Sequence, residues 1–204
     1  MPTRALFLIT AIPLAFAALS PCRLSAGTTN PPSVQSFGER SPQWAVKLNR
    51  PGLPNLYQVT TNLYRGAQPT AQGMEQLKLM GIKTVINLRT FHSDKDKVAG
   101  TSLKSVRFET EPWHSEEEDV VRFLKVVTDT NNLPAFVHCQ RGADRTGMMC
   151  AMYRITVCGW TKKEAINEMK NGGFGFSPLW KNIVHFIEKA DVSDIKRQAG
   201  IADK

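Results

Sequence analysis

The chain is short of acidic residues, of cysteine and of long apolar runs, and each shortage narrows what it can be. Its 204 residues include 26 Lys and Arg but only 18 Asp and Glu, which gives a formal net charge of +8. A basic balance suits an anionic partner, whether a phosphoester, a nucleic acid or a membrane, and so indicates only the sign of the partner. The sequence shows no internal repeat and no heptad pattern, which argues against solenoids and coiled coils.

The longest apolar run lies at the N-terminus, from Ala5 to Ser20, and follows Arg4. Together with the small residues that lead to Ala26, it predicts a secretory signal peptide over residues 1–26. The run is shorter than the ~20 residues that span a bilayer, so we expect no stable membrane span in the mature form and a periplasmic location. The alternative is an uncleaved N-terminal membrane anchor. Cleavage would leave three of the four cysteines, so at least one thiol stays unpaired and no disulfide scaffold is possible.

The rest of the chain divides into a linker, one domain and a tail. Residues 27–43 are rich in Pro, Ser, Thr and Gly and predict a flexible linker. Residues 44–191 form the predicted domain, which is an ordinary size for a single core. Residues 192–204 are polar, and we expect them to fray.

Within the domain, strands alternate with helices. The predicted strands cover 57–65 (one strand or a short hairpin), 82–88, 105–110 and 135–138. The predicted helices cover 70–80, capped by Thr70, 115–128, with a Ser115/Glu118 capping box, and 145–157; two more open at Thr161, with Glu164 completing a capping box, and at Ser177-Pro178. This alternation predicts an α/β domain with a central, mostly parallel sheet and helices on both faces.

One segment carries the chemistry: Val-His-Cys-Gln-Arg-Gly-Ala-Asp-Arg-Thr-Gly, over residues 137–147. A buried strand ends in Cys139, and a helix begins near Arg145, so the backbone N–H groups between them can converge on one centre at a helix N-terminus. That arrangement forms an anion cradle. Gly142 suits a tight turn with positive φ, and the planar fork of Arg145 matches two phosphate oxygens. The predicted phosphate-binding residues are Gln140, Arg141, Gly142, Ala143, Asp144 and Arg145.

The same electrostatic field should act on Cys139. Helix N-termini and nearby cations lower the pKa of a thiol, and the thiolate is the nucleophilic form. The Thr146 hydroxyl could donate a hydrogen bond to the sulfur, and the ring nitrogens of His138 could fix the loop. Cys139 is therefore the candidate nucleophile, and His138 and Thr146 are its candidate supports.

These residues resemble the signature loop of the cysteine-based protein tyrosine and dual-specificity phosphatases: His-Cys, five residues, Arg, then Ser or Thr. Two further segments, residues 63–69 (LYRGAQP) and 172–175 (GGFG), are similar to small bacterial, exported members, and the resemblance covers roughly residues 44–190. It implies a dual-specificity-phosphatase fold and a phosphocysteine intermediate that water hydrolyses, with no metal and no cofactor.

The general acid is less obvious, because no aspartate stands at the usual place on the loop that precedes Cys139. Asp144 is our first candidate, since a phosphate dianion beside its carboxylate should raise its pKa and favour the protonated form. The Asp-Arg-Thr element also resembles the signature of myotubularin-like phosphatases, which implies the same role. Glu116 and Glu117 are the alternative acids, and His114 is a weaker one.

The sequence predicts a phosphoric monoester hydrolase that acts on phosphotyrosine, and on other phosphoesters of proteins, through Cys139. Its partner would be a phosphorylated protein or a small phosphoester, and we expect no nucleic acid. Two alternatives stay open. One is a phosphoinositide or inositol-phosphate phosphatase. The other, from a different class, is a non-catalytic module that binds phosphorylated ligands.

Overall fold

A computed structural model of the chain describes residues 40–110 and 116–202. Its centre is a six-stranded sheet in the order β1-β2-β3-β6-β4-β5. The strands are β1 (Val46–Lys47), β2 (Tyr57–Gln58), β3 (Leu63–Gly66), β4 (Thr84–Asn87), β5 (Lys104–Arg107) and β6 (Ala135–His138). The last four strands in this order are parallel, and β1 and β2 add an antiparallel edge. The predicted α/β class is confirmed. Residues 57–65, predicted as one strand or a short hairpin, form the hairpin.

Seven α-helices flank this sheet in the described residues. They are α1 (Ala71–Leu79), α2 (Lys95–Val98), α3 (Glu117–Thr128), α4 (Asp144–Thr156), α5 (Lys162–Asn171), α6 (Lys181–Lys189) and α7 (Val192–Ala199). No helix within residues 40–110 or 116–202 is long and apolar enough to cross a membrane.

The side chains of the central strands alternate between two apolar clusters, one on each face of the sheet. On β6, Phe136 packs with α1 on one face, whereas Val137 packs on the opposite face with α3, α4, α5, α6 and α7. Residues 84–87 and 135–138 are buried throughout, as expected for parallel strands that are covered on both faces. The carboxyl end of β6 therefore meets solvent only through the loop that follows it.

Two helix starts differ from the sequence predictions. α3 begins at Glu117 after an N-cap at Glu116 that makes no side-chain capping bond, later than predicted. The predicted Ser115/Glu118 capping box involves Ser115, which lies outside the described residues. α6 begins at Lys181 rather than at Ser177, because residues 177–180 form a turn in which Trp180 N–H donates to Ser177 O. The Thr161/Glu164 capping box and the Thr70 cap are confirmed.

Both predicted domain edges are drawn too tightly. Residues 192–199 were expected in a frayed tail but form α7, and Ile195 is fully buried against the core. Arg40, in the predicted linker, donates to the carbonyls of Ala45 and Gly172, and Gln43 O accepts from Arg154. The predicted signal peptide and the linker up to residue 39 lie outside the described residues.

Candidate active site

The predicted cradle is the loop between β6 and α4, at the carboxyl edge of the parallel strands. Cys139 ends the strand with 3% of its surface exposed, and α4 begins at Asp144 with Ala143 as its N-cap. A thirteen-residue helix thus points its N-terminus, which carries partial positive charge, at the loop. Gln140 and Arg141 are exposed, whereas Gly142 and Ala143 are buried.

The backbone carbonyls of four successive loop residues are all held from outside the loop. Gln68 N–H donates to Gln140 O (3.2 Å), and the Asn55 amide donates to Arg141 O (3.0 Å). Arg65 Nη2 donates to Gly142 O (2.8 Å) and to Ala143 O (3.3 Å). A trans peptide places its N–H opposite its carbonyl. The N–H groups of residues 141–144 therefore face the concave side, where an anion would bind.

Gly142 supplies the turn that this arrangement needs. Its φ is +69°, and an added Cβ would lie 2.3 Å from the carbonyl carbon and oxygen of Gly66. Both the backbone conformation and the close approach to β3 exclude a side chain at this position, so the glycine predicted for the turn is required for two separate reasons.

Arg145 lies at the mouth of the loop with one nitrogen already engaged. Its Nη1 donates to Leu88 O (2.9 Å), after β4, and to Thr110 O (3.1 Å), after β5. No described residue binds Nε or Nη2. That edge of the guanidinium is therefore left for two oxygens of a phosphate, in the bidentate geometry that arginine favours.

The supports of Cys139 are both buried. The Thr146 hydroxyl has no hydrogen-bond partner among the described residues, Cys139 included, so the structure does not show the predicted hydrogen bond to the sulfur. His138 is fully buried: its Nδ1 lies 3.3 Å from Cys139 O, and its Nε2 lies 2.8 Å from Asp94 Oδ2. The imidazole thus joins the nucleophile's own carbonyl to a carboxylate 44 residues earlier in the chain.

The candidate acids occupy different positions. Asp144 Oδ1 accepts the Ser177 N–H (2.8 Å), and no described residue binds its Oδ2. Glu116 and Glu117 stand at the start of α3. Residues 111–115, which include His114, lie outside the described residues. Thr110, the last described residue before these glutamates, accepts a hydrogen bond from Arg145 through its carbonyl.

Sequence reasoning missed three supporting residues. Asp94 is 1% exposed, and besides His138 it accepts from Gln68 Nε2 at 2.7 Å. Asn55 adopts a positive φ of 55° and joins the loop to Phe174 O (2.9 Å). Arg65 is 2% exposed and supports the loop through its bonds to Gly142 O and Ala143 O. All three are distant in sequence from Cys139. Arg65 lies within the segment 63–69 that carried part of the resemblance, whereas no local pattern marks Asp94 or Asn55.

The glycine-rich segment 172–175 completes this support. The guanidinium carbon of Arg65 lies 3.8 Å from the centre of the Phe174 ring, and that ring meets Tyr57 edge-on at 4.7 Å. The Tyr57 hydroxyl donates to Gly173 O (3.0 Å). Residues 63–69 and 172–175, which carried part of the resemblance, therefore meet directly beneath the loop.

A cysteine at a strand end, a cradle of inward N–H groups and an arginine whose Nε and Nη2 bind no described residue define a cysteine-dependent phosphatase. Residues 54–182 match the family model described as DSP-PTPase phosphatase fused to NAD+ kinase. The chain belongs to this dual-specificity family of cysteine-based phosphatases, and the predicted family and enzyme class are confirmed.

Individual relatives agree with this assignment. The chain is 34% identical over 168 residues to the dual specificity protein phosphatase TpbA of Pseudomonas aeruginosa, covering 80% of this chain and 74% of the relative. The crystal structure of TpbA superposes with a TM-score of 0.71 at 31% identity, over 81% of this chain and 100% of that one. An inositol diphosphatase of Arabidopsis thaliana is 26% identical, over 70% of this chain and 73% of the relative.

Proposed function

We propose that the chain hydrolyses phosphotyrosine on proteins through a phosphocysteine intermediate on Cys139. The observation that carries this proposal is the loop 139–145, in which the carbonyls of residues 140–143 are held outward so that the N–H groups of residues 141–144 can converge on one anion. The phosphotyrosine dianion would bind these N–H groups and the Nε and Nη2 edge of Arg145. TpbA, the 34% identical relative, is a dual specificity phosphatase, and a cysteine-to-serine variant of it was crystallised with phosphotyrosine.

The reaction has two steps. The Cys139 thiolate attacks phosphorus, the S–P bond forms as the P–O bond to the tyrosine breaks, and the leaving oxygen takes a proton from the general acid. Water then attacks the phosphocysteine, gives a proton to the same group, and the thiolate departs from inorganic phosphate. The inward N–H groups and Arg145 stabilise the charge on the equatorial oxygens in both steps.

We retain Asp144 as the first candidate for that acid, with Glu116 and Glu117 as alternatives. In the protonated acid, Oδ1 would keep accepting the Ser177 N–H, which leaves Oδ2 to carry the proton. Asp144→Asn should then slow hydrolysis of alkyl phosphates much more than that of p-nitrophenyl phosphate, because a good leaving group needs no proton. Equal losses on both substrates would transfer the role to the glutamates.

The test of the main proposal measures phosphate released from a phosphotyrosine peptide, a phosphoserine peptide and a set of phosphoinositides. We expect release mainly from phosphotyrosine, and we expect Cys139→Ser to abolish it while phosphopeptide binding persists. Cys150→Ser is the matched control, because Cys150 is a buried core thiol on α4 and should leave turnover nearly unchanged. Loss of both binding and turnover in Cys139→Ser, or of neither, would refute the nucleophile.

A second substrate class has one specific observation in its favour, the inositol diphosphatase relative at 26% identity. The basic balance of the chain and the exposed Arg141 on the loop also suit a polyphosphorylated ligand. Release mainly from phosphoinositides in the same assay would favour this class. Binding without release from any substrate would instead favour the non-catalytic module.

We also propose that the protein is exported to the periplasm, because residues 1–26 have the layout of a signal peptide. The intact mass of protein recovered from the periplasmic fraction should correspond to a chain that begins near Gly27. Retention of Met1 in a membrane fraction would support the N-terminal anchor instead.

A further inference from the structure

The contacts of the buried His138 and Asp94 limit which ring nitrogens of the histidine can carry a proton. His138 Nδ1 faces the carbonyl oxygen of Cys139, which can only accept a hydrogen bond, and Nε2 faces a carboxylate oxygen. A neutral imidazole has one N–H and can satisfy only one of two such acceptors. With an ionised Asp94, the ring satisfies both only as the imidazolium, with a proton on each nitrogen.

The surroundings of Asp94 favour its ionised form. Its Oδ1 accepts from Gln68 Nε2, whose amide is oriented by Arg89 Nη1 on Oε1 (3.1 Å), and Lys97 Nζ on α2 lies 3.7 Å away. Burial alone would raise the pKa of Asp94, but the hydrogen bonds and charges of His138, Gln68 and Lys97 outweigh it, and the pKa lies below its ordinary value. No described acidic group other than Asp94 contacts the ring, which stacks on Phe136.

We propose that Asp94 is a positioning residue for the phosphatase reaction: it holds His138 as an imidazolium, which fixes the Cys139 carbonyl and favours the thiolate. The cation lies one residue before the nucleophile, with its Nδ1–H on the nucleophile's own peptide. This field adds to that of the α4 N-terminus and of Arg145. The inference rests on the proposed role of Cys139 and assigns a part to a residue that no local sequence pattern marks.

Asp94→Asn tests this directly, because it keeps an acceptor oxygen for Nε2 and removes the charge. The measurement is the pH dependence of Cys139 alkylation by iodoacetamide, followed on the Cys139 peptide by mass spectrometry. Burial raises the pKa of Cys150 from 9.0 to about 11, so that thiol does not label near neutral pH. In Asp94→Asn we expect the pH midpoint of Cys139 alkylation to rise by about one unit or more. We expect kcat to fall about tenfold with KM little changed.

Asp96→Asn is the matched control, since Asp96 is exposed two residues further along α2 and should keep the wild-type midpoint. An unchanged midpoint in folded Asp94→Asn would overturn the proposal. If that variant does not fold, nitrogen NMR of the wild-type protein decides: both ring nitrogens of His138 should be protonated at pH 7, and a neutral tautomer would refute the proposal. Alkylation does not depend on phosphate release, so the proposed function can fail in the substrate assay while the role of Asp94 is decided separately.

Discussion

Two arginines contribute to the same loop in different ways. Arg65 is buried and bonds the loop carbonyls, whereas Arg145 is partly exposed and its Nε and Nη2 bind no residue in the described part of the chain, which suits the proposed ligand contact. The role of Arg145 could be read from its spacing to Cys139, because a strand, a short loop and a helix are contiguous in sequence. The role of Arg65 could not, because its partners Gly142 and Ala143 are 77 and 78 residues away.

The same contrast holds for the rest of the site. His138 and Gly142 lie where the local geometry around Cys139 predicted them, whereas the buried Thr146 lacks the predicted hydrogen bond to the sulfur. Asp94 and Asn55 reach the loop only through the pairing of distant strands, and Asp94 looks in sequence like one more charge in a polar stretch. A single sequence contains no signal for contacts set by tertiary packing.

Gly142→Ala should remove phosphate binding while leaving most of the fold. Its Cβ would lie 2.3 Å from the Gly66 backbone, and a left-handed conformation costs a residue with a side chain about 1–2 kcal/mol. We expect kcat/KM for p-nitrophenyl phosphate to fall more than about 100-fold, equivalent to ~2.7 kcal/mol. Gly81→Ala is the control, because Gly81 has φ of +76° but no atom within 4 Å of its Cβ. Comparable losses in both variants would mean that strain, not the shape of the loop, matters.

At the scale of elements, α4 and α5 are joined by a buried ion pair. Arg154 Nε and Nη2 each lie 2.9 Å from a Glu168 oxygen, and the guanidinium also stacks on Trp160. Glu168 Oε1 accepts Ala45 N–H as well (2.6 Å), which ties the chain before β1 to both helices. Since α4 carries the cradle at its N-terminus, this pair stabilises the helix that presents it.

Arg154→Met should cost about 3–5 kcal/mol of unfolding free energy, because it leaves the Glu168 carboxylate buried without its partner. Urea denaturation measures the loss. The double variant Arg154→Met/Glu168→Met should recover part of the stability, since no uncompensated charge remains. Additive losses in the double variant would contradict the ion-pair explanation.

Helix starts were the least predictable features at this scale. Thr161 and Glu164 form a capping box as expected, because both partners lie in one turn. Ser177 is followed by Pro178 but has no Glu or Gln three residues later; its N–H donates to Asp144 in the site, and α6 begins four residues later. The turn closed by the Trp180 N–H on Ser177 O occupies the predicted first turn of this helix.

At the scale of the whole molecule, the alternation of strands and helices sufficed to predict the α/β class, but not the limits of the domain. The segment after residue 191 is polar in composition, yet Val192, Ile195 and Ala199 recur at helical spacing and turn inward, with Ile195 and Ala199 buried. α7 packs on α3 and α4. The segment was predicted to fray because its average composition is polar, although the helical spacing of these three apolar residues is visible in the sequence.

A chain that ends after Asp191 should therefore be less stable than the full chain. Burial of Ile195 alone contributes about 1.5–3 kcal/mol, so the thermal midpoint should fall by about 5 °C or more. A chain that ends after Ala202 keeps α7 and serves as the control. If both shortened chains melt with the full chain, α7 does not belong to the cooperative unit.

The hydrogen bonds that hold the loop carbonyls outward form during folding, before any ligand binds. Because Asn55, Arg65 and Gln68 belong to the fold, the cradle has its shape before any phosphate arrives, and the entropy of ordering it is lost during folding rather than binding. Inorganic oxyanions such as phosphate or vanadate have no peptide to make further contacts with the protein, but they should still compete with substrate because the cradle is already ordered. Removal of the hydrogen bond from the Asn55 amide to Arg141 O should weaken this competition by phosphate or vanadate more than it lowers the melting temperature.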